Sequence, residues 1–175
     1  NNASTITGAS DGIYADNDGS GALSITTTGT VTGNGATHAG IYATNSSAGT
    51  DLTIEAANVT GDYNAIVAYN QGSGALSIDA TGYVNATDQY GIYGKNSANG
   101  SSLTINANNI TSLDNGILAV NYGSGALSIT ATGDVENSGA TSAVRAYNKN
   151  GIDADGTSLY ISVNNVRAPD NDGID

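Results

Sequence analysis

The 175-residue chain has no cysteine, methionine, phenylalanine or tryptophan, and one residue each of proline and histidine. Without cysteine there is no disulfide, no thiolate nucleophile and no thiolate metal ligand. Without Phe, Trp or Met, a core must be filled by Ile, Leu, Val and Ala, which suits a thin repetitive core better than a globular one. Basic residues are scarce: Lys95, Arg145, Lys149 and Arg167 stand against 16 acidic residues, for a net charge of −12. That balance argues against nucleic acid and anionic membranes as partners. No apolar run approaches the roughly twenty residues that span a bilayer, so membrane insertion of this segment is not expected. No signal peptide is visible at Asn1. Any export signal or anchor would lie outside these residues, and an acidic, cysteine-free chain reads as extracellular and bacterial, although a lack of cysteine also suits the cytosol.

What the chain has in abundance is repetition. "GSGALSIT" at 19–26 returns as "GSGALSID" at 72–79 and "GSGALSIT" at 123–130. A Leu-x-Ile pattern begins at Leu23, Leu52, Leu76, Leu103, Leu127 and Leu159. Each copy is preceded by a segment such as "GIYA" (12–15, 40–43) or a variant of it, and followed by one Val or Ile: Val31, Val59, Val84, Ile110, Val135 and Val166. Within each cluster apolar residues alternate with polar ones, as in strands buried on one face. Short strands that recur at equivalent places predict a right-handed parallel β-helix of six to seven rungs of about 26 residues, with three short strands per rung. The rungs come in two kinds, making a two-rung super-repeat. One kind has a Gly two positions before the closing Val (Gly29, Gly82, Gly133); the other has an Asn immediately before it (Asn58, Asn109, Asn165). Both residue types tolerate positive φ, so the two kinds are expected to turn one corner with different loops.

One column is invariant in every rung: Asn17, Asn45, Asn70, Asn96, Asn121 and Asn148. Stacked amides of this kind predict a structural hydrogen-bonded ladder at a corner rather than a row of ligand amides. Residues 6–13 match 59–66, so the chain begins at the end of a rung, and "DNDGID" at 170–175 stops as another "GI" begins. The expectation is a single β-helix segment, 1–175, excised from a longer array.

The outward positions of the "GIYA" strand carry Tyr14, Tyr42, Tyr69, Tyr93 and Tyr147. An exposed aromatic stripe is a candidate binding surface, because tyrosine offers a flat apolar body and a hydroxyl. The competing reading is stacking for stability alone. No cofactor is called for. Calcium is raised by the Asp-Gly turns, with Asp153 and Asp155 in the loop 150–157 as the candidates; Asp-Gly is also the plainest turn dipeptide. The inventory for catalysis is thin. His38 reads as an exposed loop histidine, basic residues are scattered, and no rung differs from its neighbours enough to hold an active site, so the chain is not read as an enzyme.

The units "GIYATNSSAGTDLTIEAANVTG" and "GSGALSITATGDV" resemble the passenger-domain repeats of large bacterial autotransporters and related β-helical surface adhesins. The resemblance lies in the repeat pattern and covers essentially the whole chain. It implies a segment displayed outside the outer membrane, anchored through parts beyond these residues, with adhesive or self-associating function toward a host surface, a glycan or a second copy. Two alternatives stand beside it: a passive stalk presenting a distal domain, and a polysaccharide-active β-helix enzyme.

Overall fold

The computed structural model describes residues 4–149 and 158–175. It is all-β, a parallel β-helix of about six rungs of about 26 residues. Two parallel sheets run along it. The first stacks β1 (Ile6–Gly8), β3 (Leu23–Gly33), β5 (Leu52–Gly61), β7 (Leu76–Ala86), β9 (Leu103–Ser112), β11 (Leu127–Asn137) and β13 (Leu159–Arg167). The second stacks β2 (Ile13–Asn17), β4 (Ala39–Asn45), β6 (Asn64–Asn70), β8 (Ile92–Asn96), β10 (Ile117–Asn121) and β12 (Val144–Asn148). The three segments of each rung are laid out as two strands. The Leu-x-Ile segment and the closing Val share one long strand, and an irregularity in register divides its two halves.

Like residues stack on like. Leu52, Leu76, Leu103 and Leu127 are register partners along the first sheet, as are Ile54, Ile78, Ile105 and Ile129, and all eight are fully buried. Ile41, Ile66, Ile92 and Ile117 close the core from the second sheet, also fully buried. The space between the sheets is narrow enough for branched aliphatic side chains and alanines to fill it, which is why the chain needs no Phe, Trp or Met.

The register irregularity explains the two-rung repeat. Between Ala80 and Val84 strand β7 carries three residues, Thr81, Gly82 and Tyr83, where β5 carries two, Ala57 and Asn58. The same excess recurs in β3, at Gly29, and in β11, at Gly133. An extra residue leaves a backbone N–H without its ladder partner. The preceding rung supplies one: Asn58 Oδ1 accepts from the Tyr83 N–H at 3.1 Å, and Asn109 Oδ1 from the Asp134 N–H at 3.0 Å. Glycine is required beside these amides, because a Cβ on Gly82 or Gly133 would lie 2.2 Å from the Asn58 or Asn109 oxygen. Gly and Asn thus form an interlock between successive rungs. The expected positive-φ corner is corrected: no described residue has positive φ. The asparagine acts through its side-chain carbonyl and the glycine through its lack of a side chain.

The six-asparagine column forms a continuous ladder. Each Nδ2 donates to the next Oδ1, from Asn17 to Asn45 at 2.7 Å, then to Asn70 at 3.0 Å, and to Asn96, Asn121 and Asn148 at 3.1 Å each. The second amide hydrogen donates to a carbonyl of the loop that follows the strand, such as Gly21, Gly74 or Gly125. Asn45, Asn70, Asn96 and Asn121 are buried. Their polarity is offset because every donor is used, and the same bonds pin the loop that leads to the next strand.

Candidate functional site

The outer face of the second sheet carries a run of tyrosine side chains. Parallel register places Tyr14 beside Tyr42, Val67 and Tyr93 in one column, and Asp16, Thr44, Tyr69 and Lys95 in the next. The stacking of rungs about 4.8 Å apart therefore brings rings into contact. Tyr14 and Tyr42 stack with centroids 5.3 Å apart and planes within 2°. Tyr69 stands edge-on to both Tyr42 (5.9 Å) and Tyr93 (5.3 Å). Tyr93 also meets Tyr90 at 5.4 Å. Four of the five tyrosines expected in the stripe are thus one connected cluster. Tyr147 is on the same face but apart from it, flanked by Arg145 (5.2 Å) and Lys149 (4.9 Å) in cation–π geometry. Lys95 lies over Tyr122 at 5.7 Å. Three of the four basic residues of this acidic chain therefore sit against tyrosines on this side of the helix.

Packing among rings alters their acidity. Burial, and then the neighbouring Tyr93, Tyr42 and Tyr90, push the Tyr69 hydroxyl up to about 12. Burial also raises Tyr93, with Tyr122 adding to it, and raises Tyr90, with Asp114 adding to it. In all three the neutral phenol is favoured because an anion there would lose water.

Val67 takes the position that Tyr42 and Tyr93 take in the rungs around it. The shorter side chain leaves a notch in the tyrosine column, and Val67 itself is buried at its floor. A groove of about 220 Å³ opens there, bordered by Tyr14, Tyr42 and Tyr69 on one side and by Asp11, His38 and Asn64 on the other. His38 is brought to Asp11 of the preceding rung, with Nδ1 3.1 Å from Oδ2, while Asp11 Oδ1 accepts the Ala39 N–H at 2.6 Å. Neither Asp11 nor Tyr90 stands out in the sequence, and His38 reads there as a plain loop residue. Asp11 and His38 lie in the loops before "GIYA", whose lengths vary. No strand periodicity places them, and only the stacking of rungs brings the two loops together.

Elsewhere the outer surface is plainer. On the first sheet Glu55 and Asp79 are register partners along a broad, threonine-rich trough of about 460 Å³, with Thr26 Oγ1 3.5 Å from Glu55 Oε2. The repeat itself stacks these two carboxylates, since Thr53-Ile54-Glu55 and Ser77-Ile78-Asp79 occupy matching positions. No basic residue lines the trough, and among the described residues no group of three or more His, Asp or Glu is gathered to hold a metal ion. The calcium candidates Asp153 and Asp155 lie outside the described residues.

Comparison with protein-family models, with curated proteins and with solved structures finds no match for this chain.

Proposed function

We propose that the chain is an extracellular repeat segment of a bacterial surface adhesin, attaching through the outer face of its second sheet. The observation that carries the reading is the connected run of Tyr14, Tyr42, Tyr69 and Tyr93 rings on the outer face of the second sheet, Tyr14 exposed and the other three half-buried. Large amphipathic rings clustered at a surface are the side chains that dominate recognition surfaces. The supporting arguments are general. A solenoid extends its surface in proportion to its rungs, and a net charge of −12 keeps such a rod soluble. The partners in view are a host surface, a glycan or another copy, the location is the bacterial cell surface, and the reading assigns the segment no reaction. A second reading, a passive stalk, draws on the amide ladder, which ties each rung to the next as a stiff spacer requires, and on the Asn–Gly interlocks, which add a tie at alternate joints.

Beads coated with the segment and applied to epithelial cell layers, and to one another, separate the two. Attachment is expected to exceed that of uncoated beads and to fall at least tenfold with Tyr42→Ala combined with Tyr93→Ala, in a variant whose circular dichroism is unchanged. Attachment at the level of uncoated beads would overturn the adhesive reading and leave the stalk.

A further inference from the structure

We infer that the groove beside Tyr42 is a subsite for a neutral oligosaccharide. The inference rests on the adhesive reading and names its ligand. Three properties of the groove lead there.

The first is the kind of polar group at its edge. Asp11, His38 and Asn64 approach from one side. The Asn64 Oδ1 accepts the Tyr90 N–H at 3.1 Å, while its Nδ2 donates to no described residue. Asp11 keeps Oδ2 toward His38, and the hydroxyls of Tyr14, Tyr42 and Tyr69 make no hydrogen bond among the described residues. Carboxylate acceptor, amide donor, imidazole and phenols together match a ligand that is itself rich in hydroxyls, each of which both donates and accepts. The second property is the aromatic wall. Tyr42 and Tyr69 meet at 72°, making an angled apolar corner against which the C–H face of a sugar ring packs. The third is size. About 220 Å³ falls below the roughly 300–1,000 Å³ of sites that enclose a drug-sized molecule. The groove holds one ring, and the remainder of the chain lies along the tyrosine stripe.

Charge selects among glycans. No lysine or arginine lines the groove, Asp11 does, and the whole chain carries −12. Sialylated and uronate-bearing chains are repelled, and neutral hexose and N-acetylhexosamine chains are not. The groove's own charge opposes a second copy of this chain seated groove to groove, since each partner would bring an Asp11 to the contact.

The test is titration of the folded segment with neutral oligosaccharides of hexoses and N-acetylhexosamines, with sialylated and uronate oligosaccharides run beside them. Binding of a neutral chain is expected, weakened at least tenfold by His38→Ala and by Tyr42→Ala and unchanged by Tyr160→Ala on the other sheet. His38 is exposed on a loop, so its replacement leaves the fold intact and keeps the test valid if Tyr42→Ala fails to fold. Preference for uronate chains, or neutral binding indifferent to His38→Ala, would overturn the inference. So would concentration-dependent dimers lost in Tyr42→Ala with no neutral glycan bound, which would give this face to a second copy. If coated beads still attach to cells while no neutral oligosaccharide binds, the glycan inference falls and the adhesive reading stands. If a neutral oligosaccharide binds as predicted and the beads do not attach, the inference stands and the adhesive reading falls.

Discussion

Gly94 stands in a column where the register partners are alanines: Ala15, Ala43, Ala68 and Ala119. A Cβ placed on it would meet the terminal methyls of Ile78 and Ile105 at 3.4 Å and of Leu103 at 3.5 Å, which is ordinary contact. Gly94→Ala therefore fills a small gap and restricts the unfolded chain, and is expected to stabilise by about 0.4–1 kcal/mol. Gly82 is the opposite case. Its added methyl would fall 2.2 Å from Asn58 Oδ1 and 2.6 Å from the Ala57 carbonyl oxygen. Gly82→Ala must displace the amide that accepts the Tyr83 N–H, and losing that exposed hydrogen bond costs about 0.5–1.5 kcal/mol. Urea midpoints of the two variants should lie on opposite sides of the parent; a shared direction would refute this account of the two glycines. Both residues are conspicuous in the sequence, but not the difference between them. It depends on a neighbour one rung away, reached through a one-residue register slip that no single rung reveals.

At the scale of the element, the strands of the second sheet carry a stack whose chemistry is that of the group. Tyr69 is on β6, Tyr93 on β8 and Tyr42 on β4, and each alone would be a half-exposed phenol. Burial first, and then the neighbouring rings, push the Tyr69 hydroxyl up to about 12. The unfolded chain ionises tyrosine near pH 10. The stability contribution of a raised folded value is fully present below the unfolded one and is lost as pH rises through the folded one. Between pH 10 and 12 the unfolded state is thus increasingly favoured, and Tyr90 and Tyr93 act in the same direction. The unfolding midpoint should drop over that window, and drop less in Tyr69→Phe; equal slopes in parent and variant would show that the ring cluster does not control alkaline stability. The stripe itself was readable from alternation in the "GIYA" segments, since parallel register carries each outward residue onto the next. So was its interruption at Val67, where "AIVA" replaces "GIYA", but the loops that border the resulting groove were not. Those loops have no period, and their meeting follows from the stacking of rungs.

For the whole molecule, repetition made the architecture readable. Leu-x-Ile at near-constant spacing and an invariant asparagine can be satisfied together by parallel rungs, and the structure has them. Solenoid stability is close to a sum over rungs and the contacts between neighbours, so shortening the chain should cost in proportion to the rungs removed. The Asn–Gly interlock adds a condition on which rungs are removed. Excising residues 52–102 takes out two rungs and joins the bulge-bearing β3 to β9, which carries Asn109; alternation is preserved, and the cap of Asp134 by Asn109 survives. Excising residues 52–75 takes out one rung and sets β3 beside β7, two bulge-bearing strands in succession. Thr30, the register partner of Asn58, then precedes Tyr83, and its shorter side chain has no carbonyl to accept that N–H. The smaller deletion is therefore expected to lower the thermal midpoint more per rung removed than the larger one, measured by circular dichroism on both shortened chains at one concentration. A midpoint that tracks only the number of rungs left would mean that the two-rung period does not set how rungs join.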